Sequence, residues 1–323
     1  GGSRYETNIP SSSSPARQDR EPKSTKIELS QPLFRGGRTS AATSEAENNV
    51  KAERARLKAV EQKVLLEAAT AYLDLYREAA VLDLNRGNEQ VLRRQLEATR
   101  DRFQVGEITR TDVFQAEARL ARATADRIKA DGDLEISRAS YVKVVGAAPS
   151  AKPVLPASPD RLPDDKDKAI RDAAVRNPAV IAAEFDQRAA KDRVAGAEGE
   201  LLPTFRIVAS AGKDWESSNE SSRISNLEAK LKFSMPLYEA GATYAKVRGA
   251  KQTAAERQNL IDKERRDAVQ TATRAWDTLL SARARVDSFD SQIKAATVAL
   301  EGVEREAAVG SRTVLDVLNA EQD

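Results

Sequence analysis

Residues 105–113 read V-G-E-I-T-R-T-D-V, and residues 309–317 read V-G-S-R-T-V-L-D-V. Both contain V-G-x-x-T-x-x-D-V, and both follow a long alanine-rich stretch with helical periodicity. Gly106 and Gly310 can take the left-handed conformation that ends a helix. Thr109 and Thr313 stand where an N-cap belongs, with Asp112 and Asp316 three residues on. That is a capping-box arrangement with Asp in place of Glu. Each turn therefore stops one helix and starts another, as in an antiparallel helical hairpin.

The repeat is larger than the turn. Gly310 follows Gly106 by 204 positions. Pro236 follows Pro32 by the same 204, and S-Q-P-L-F-R-G-G (30–37) faces S-M-P-L-Y-E-A-G (234–241). Ala275-Trp276 stands at the same offset from Ala71-Tyr72. One offset at three separated landmarks, built on Pro, Gly, Thr and Asp rather than alanine, reads as an internal duplication.

Composition removes several function classes. Of 323 residues 32% are charged, and 52 Lys+Arg against 50 Asp+Glu leave a net charge of +2. That balance gives no electrostatic case for a nucleic-acid partner. There is no Cys and no His, which removes thiol chemistry, imidazole metal ligands and histidine acid–base catalysis. No cofactor and no metal site is expected, and no phosphate-binding glycine loop is present. No stretch reaches the roughly 18 apolar residues of a transmembrane helix. The counterpart of the helical stretch from about Lys166 would lie before Gly1, and that of Val113 to Val145 would run past Asp323, so both ends read as trimmed, with the return helix after the second tip missing.

Taken in order, residues 1–38 read as strands with an external loop. Gly1 to Thr7 matches Phe205 to Ala211 and is expected to be strand. Residues 8–25 are Ser-, Pro- and charge-rich and read as a solvated loop. Lys26 to Phe34 alternates, with Ile27, Leu29 and Leu33 against Lys26, Glu28 and Ser30. Residues 204–241 repeat this more clearly. Phe205, Ile207, Ala209 and Ala211 alternate with polar neighbours, a polar loop follows at 213–226, and Leu227, Ala229, Leu231, Phe233 and Met235 alternate with Glu228, Lys230, Lys232 and Ser234.

Two readings are open for these strands. One is a soluble hairpin with a buried face. The other is a transmembrane barrel, apolar outward and charged inward, with strands of ~9–11 residues. No other apolar layer is available for the strands to cover. Aromatics also fall at strand ends, Phe34 and Tyr238 at one and Trp215 and Tyr5 at the other, as interfacial girdles do. Two hairpins cannot close a barrel, so closure requires several copies of the chain.

Residues 39–145 read as a long helical hairpin with its tip at 105–113. Its first helix, from Ser40 to Gln104, would be about 100 Å long at 1.5 Å per residue. Gly87 is its only internal glycine, and a tolerated surface position explains it better than a bend. Residues 146–165 carry five prolines and form an extended connector. Residues 166–203 form a shorter helical segment, interrupted at Asn177-Pro178 because Pro disfavours helix in the residue before it. Residues 242–323 form a second long helix ending at the tip 309–317. Val286, Phe289, Ile293, Ala296, Leu300 and Val303 recur there at heptad spacing, which predicts a left-handed supercoil.

Strand pair, very long helix, V-G-x-x-T-x-x-D-V tip and returning helix, all duplicated, resemble the TolC family of outer-membrane channel proteins. The carrying residues are Q-P-L-F-R-G-G (31–37), A-T-A-Y-L-D-L (69–75), R-F-Q-V-G-E-I-T-R-T-D-V (102–113), M-P-L-Y-E-A-G (235–241) and V-G-S-R-T-V-L-D-V-L-N-A (309–320). The resemblance implies an α+β membrane protein. Its long antiparallel hairpins would form a coiled-coil α-barrel, and its strands would enter a shared transmembrane β-barrel. It implies a homotrimer in the outer membrane of a Gram-negative bacterium, in contact with lipid and with a long periplasmic extension. A periplasmic adaptor (membrane fusion) protein and an inner-membrane transporter would dock at the far end. The first helix and its neighbours look like the branch serving type I protein secretion.

The family's gate carries over residue by residue. An Arg in the second tip turn and an Asp in the first are associated with the closed gate, and Arg312 and Asp112 stand there. Of the acidic residues that face the pore after the second tip, Asp316 matches one. The next position is Asn319, which halves the charge of the expected acidic ring. Capping and gating are compatible readings of Asp112 and Asp316. Val105, Gly106, Thr109, Val309, Gly310 and Thr313 form the tip turns where an adaptor would dock, and Leu227, Leu231 and Phe233 would face lipid. The expectation is a passive, gated export conduit for proteins or small molecules. A pore-free coiled-coil adaptor or scaffold is the alternative, but it gives the duplicated strands no purpose. A carboxylate-based enzyme fits poorly, because the acidic residues track exposed helix faces.

Overall fold

A computed structural model describes residues 21–150, 152–157, 162–217 and 222–322. In chain order these form β1 (Lys23–Arg35), α1 (Arg38–Gln104), α2 (Arg110–Val145), α3 (Lys166–Arg176), α4 (Pro178–Glu198), β2 (Thr204–Trp215), β3 (Arg223–Ser234), α5 (Ala242–Ala308) and α6 (Val314–Gln322). A single 3-10 turn at Gly199–Leu201 links α4 to β2. The strands form one antiparallel sheet in the order β1-β2-β3. No helix among the described residues is long and apolar enough to cross a membrane.

The strands differ from the sequence expectation in extent. β1 begins at Lys23, inside the stretch 8–25 expected to be loop. β2 continues to Trp215 and β3 begins at Arg223, so the expected loop 213–226 narrows to 216–222. In both places the extra residues are polar apart from Trp215 and Ile224. Backbone pairing carries the ladder past the point where apolar alternation stops, Lys23 opposite Trp215 and Trp215 opposite Arg223. The expected strand over Gly1 to Thr7, and Tyr5 with it, lies outside the described residues.

The chain divides into two compact units. The first holds residues 1–55 and 179–265, and in it α4 packs between the opening turns of α1 and α5. Its core is small-residue packing around Ala52, Val180, Ala182, Ala189, Ala190, Val247 and Ile261. Polar ties flank that core. Asp192 accepts hydrogen bonds from Ser44 (2.9 Å) and Asn48 (2.7 Å). Lys251 pairs with Glu198 at 2.9 Å and Lys246 with Glu200 at 2.9 Å. The break between α3 and α4 falls at Asn177, extended at φ −63°, ψ 127°, just before Pro178.

The second unit holds residues 56–178 and 266–323. Leu75, Leu82, Ala130 and Leu134 form one buried cluster between α1 and α2, with Tyr141 against it. Leu92, Ala123 and Leu318 form another that brings in α6. Leu75, Leu82, Glu89 and Leu96 recur every seven residues on α1, and Ala116, Ala123 and Ala130 every seven on α2. That is a coiled-coil seam in which alanines let the helices approach closely. Tyr72 ties the connector to α1. The Tyr72 hydroxyl donates to the Val154 carbonyl (2.8 Å) and accepts from the Val154 N–H (3.0 Å). Gly87 is exposed, with open space where a Cβ would stand, and α1 runs through it unbroken.

Candidate functional site: the tip turns and the apolar sheet face

The two tip turns are built alike. Gly106 (φ 80°) and Gly310 (φ 76°) occupy the left-handed region. The Gly106 N–H donates to Phe103 O at 3.0 Å and the Glu107 N–H to Arg102 O at 3.0 Å. At the second tip Gly310 donates to Ala307 O at 3.1 Å and Ser311 to Glu306 O at 3.0 Å. These paired bonds close the last carbonyls of each helix in the manner of a Schellman motif. Thr109 then caps α2, and its backbone N–H donates to the Asp112 carboxylate at 2.9 Å. Thr313 and Asp316 repeat that bond at 2.9 Å. Val105 and Val309 stand exposed at the turns.

The gate candidates are engaged within their own turns. Asp112 is held by Thr109. Arg312 donates from Nε to Glu306 at 2.7 Å, and that carboxylate raises the guanidinium above its ordinary value. The backbone N–H of Thr313, then its hydroxyl, then Arg312 hold the Asp316 carboxyl below the usual range. Among the described residues no ion pair joins Arg312 to Asp112 within one chain. Asn319 accepts from the Arg119 guanidinium, which also reaches Gln322, so this position binds a cation of its own chain.

Sequence reasoning missed a buried polar cluster above the first tip. Glu89 occupies a heptad core position of α1 at 8% exposure. It accepts from Arg93 (3.1 Å), from the Thr124 hydroxyl (3.1 Å) and from Arg127 Nε (2.7 Å). Burial pushes its carboxyl up, but Thr124, Arg127 and Arg93 together outweigh that and hold it below its ordinary value. The signal was available as a charged residue in step with Leu75 and Leu82.

The sheet has one apolar and one charged face. Register partners stack in rows: Phe34-Phe205-Phe233, Gln31-Ile207-Leu231, Leu29-Ala209-Ala229 and Ile27-Ala211-Leu227. Phe205 packs between its two neighbours, with ring centroids 6.3 and 5.1 Å away. The other face carries Lys26, Glu28, Arg206, Glu228, Lys230 and Lys232, with Lys26 on Glu28 at 2.7 Å and Lys230 on Glu228. Nothing among the described residues covers the apolar face. Leu227 is 89% exposed, Leu231 67% and Phe233 57%. From the Phe205 row to the Ala211 row is about 20 Å at 3.3 Å per residue, close to the roughly 25 Å apolar band of a transmembrane barrel.

An uncovered apolar sheet face backed by charge, continuing into long helical hairpins, defines an outer-membrane channel subunit. The model of the family "Outer membrane efflux protein" matches residues 4–147 and 169–323. The chain is 35% identical over 318 residues to the outer membrane efflux protein BepC of Brucella suis, covering 98% of this chain and 69% of that one. It is 26% identical over 277 residues to the outer membrane protein TolC of Escherichia coli, covering 80% of this chain and 56% of TolC. The structure of the outer membrane protein VceC from Vibrio cholerae superposes with a TM-score of 0.80 at 19% identity, over 100% of this chain and 79% of that one. The chain belongs to the outer membrane efflux protein family. It is a protein of the outer membrane, and the reading as a pore-free adaptor or scaffold falls away.

Proposed function

We propose that the chain is one subunit of a homotrimeric export conduit, acting passively and without a catalytic centre of its own. The observation that carries this is the uncovered apolar sheet face, which among the described residues lies between two open strand edges, those of β1 and β3. Open edges are intolerable in hydrocarbon, because unpaired backbone groups there have no water to bind. Copies of the chain remove them by closing a barrel of about twelve strands, four from each subunit, within the known range. In this reading residues 1–38 and 204–241 supply the barrel. Residues 39–145 and 242–323 supply the tunnel hairpins, residues 146–165 the connector and residues 166–203 a shorter helical segment.

The tips are the end where a periplasmic adaptor and an inner-membrane transporter engage the conduit. Val105, Gly106, Thr109, Val309, Gly310 and Thr313 form that docking end. Arg312, with Asp112 of a neighbouring tip, biases the gate, and Asp316 and Asn319 line its approach. The capping bonds support this reading by giving both turns one shape, and helices of 67 residues each lead to them from the strands. The test is the mass of the full-length protein in detergent together with its conductance in planar bilayers. A trimer that conducts is expected; a stable, non-conducting monomer overturns the proposal.

A further inference from the structure

The apolar sheet face is not symmetric from end to end. Lys23, Trp215 and Arg223 are register partners across the three strands, and Lys213 lies in the next row toward the helices, between Thr25 and Ser225. Alternation places all four on the face of Ile27, Ala211 and Leu227. The Lys213 ammonium sits 5.6 Å from the centre of the Trp215 ring. At the helix end the same face closes with Phe34, Phe205 and Phe233. Among the described residues no strand residue on this face is acidic, and its only cations are Lys23, Lys213 and Arg223, gathered at the end away from the helices.

Among the described residues the three cations have little to neutralise them. Glu21 lies 3.6 Å from Lys23 in a largely exposed pair. The Glu216 carboxylate accepts from the Glu21 N–H at 2.9 Å. Strands about 4.8 Å apart put Lys23 and Arg223 roughly 10 Å from each other, with the tryptophan between them. That is the span of a phosphorylated headgroup, and indole rings settle at headgroup depth.

We propose that Lys23, Lys213, Arg223 and Trp215 form a site for the phosphate-bearing headgroup of a lipid in the leaflet away from the helices. The acyl chains lie along Ile27, Leu227 and the rows below. The site rests on the membrane-spanning reading of the sheet. Charge complementarity selects the occupant, because cations bordering an apolar band match an anion attached to acyl chains. A soluble anion would leave the band uncovered.

The test uses the full-length assembly in a neutral detergent, with phosphatidic acid as the probe and phosphatidylcholine as the zwitterionic control. Native mass spectrometry counts the lipids retained. Phosphatidic acid should be held in clear preference. Lys213→Gln and Arg223→Gln should each weaken it about fivefold, and Lys23→Gln with both about a hundredfold, the factors expected for cations at a membrane surface. Lys230→Gln, on the opposite face, should change nothing. Retention by the triple variant equal to the parent, or an equal loss in Lys230→Gln, overturns the site. Should the triple variant fail to assemble, Arg223→Lys must retain the lipid that Arg223→Gln loses. A protein that enters micelles but does not distinguish the two lipids defeats this site alone. One that never enters them defeats the membrane reading itself.

Discussion

Gly36 and Gly199 meet backbone to backbone where β1 turns into α1. A Cβ on Gly36 would stand 2.2 Å from the Gly199 carbonyl oxygen, and a Cβ on Gly199 would stand 2.3 Å from the Gly36 carbonyl oxygen. Gly36 also holds φ 61°. Neither contact can be relieved by rotating a side chain. Gly36→Ala should therefore cost more than the roughly 1–2 kcal/mol of a left-handed alanine. Gly37→Ala (φ 76°, open space) should cost about that and no more. Thermal midpoints that rank Gly37→Ala as the worse change would show that the contact does not bind the sheet to the helices.

Glu89 is the second position where a small change should matter. Removing the carboxylate leaves Arg93 and Arg127 without it, so Glu89→Ala should destabilise the hairpin far more than Glu97→Ala on the exposed face of the same helix. Replacing Glu89 and Arg127 together by leucine should restore much of the loss, because an apolar pair of similar volume often matches a buried ion pair. A double-mutant cycle on thermal unfolding checks this. Additive losses would mean that Glu89 and Arg127 do not act as a pair.

The strand rows rank the lipid-facing positions. Leu231 pairs with Ile207, inside the band between the Phe205 and Ala211 rows, whereas Leu227 pairs with Ala211 at its edge, one row from Lys213. Leu231→Arg should cost up to about 2–4 kcal/mol, Leu227→Arg less, and Lys232→Ala little. Chemical unfolding out of liposomes gives the three values. Equal tolerance at Leu231 and Lys232 would place both outside the membrane.

Arg312 has a partner in its own turn, and this sharpens the gating test. An exposed ion pair contributes only about 0–1 kcal/mol, so the Glu306 bond is easily exchanged for one across a tip boundary. Arg312→Ala should raise the open probability in planar bilayers. Glu306→Ala frees Arg312 for its neighbour and should lower it or leave it unchanged. A lowered or unchanged open probability in Arg312→Ala, or a raised one in Glu306→Ala, would remove Arg312 from the gate.

Acidification should reach the second tip late. The Asp316 carboxyl is held below its ordinary 3.8 when folded. Its contribution is therefore fully present above that value and is lost as pH falls through the lowered one. The start of α6 should stay ordered from neutral pH to about 4. Asp316→Asn should abolish the pH-dependent step below it. A carboxylate titration followed by carbon NMR that finds Asp316 at or above 3.8 would contradict the bond from Thr313.

The duplication was legible because it rests on residues with few conformational substitutes. The offset of 204 returns as backbone geometry: Gly106 and Gly310 match at φ 80° and 76°, Gly37 and Gly241 at 76° and 81°. Gly36 corresponds to Ala240, which keeps φ 49° without being glycine. Only the first copy meets Gly199, and that encounter joins residues 163 positions apart, beyond any local pattern. Glu89 escaped for a related reason. A glutamate among many helical charges reads as solvated surface until the facing Arg127 is known. The heptad residues Val286, Phe289 and Ile293 stand exposed along α5 among the described residues, so their expected supercoil has no partner helix within them.

The antiparallel pairing of β1 with β2 joins the two halves of the duplication to each other. In any closed ring made from this chain, such a seam lies inside one polypeptide, while the seam at each copy boundary must form by encounter. Tethering raises the effective concentration of one edge at the other to a fixed value, whatever the amount of protein present. The inner seam can therefore close at first order, and only the outer seams depend on how crowded the membrane is. A ring of undivided half-length chains would have to find every seam by collision. Duplication thus converts part of assembly from a dilution-sensitive process into an internal one.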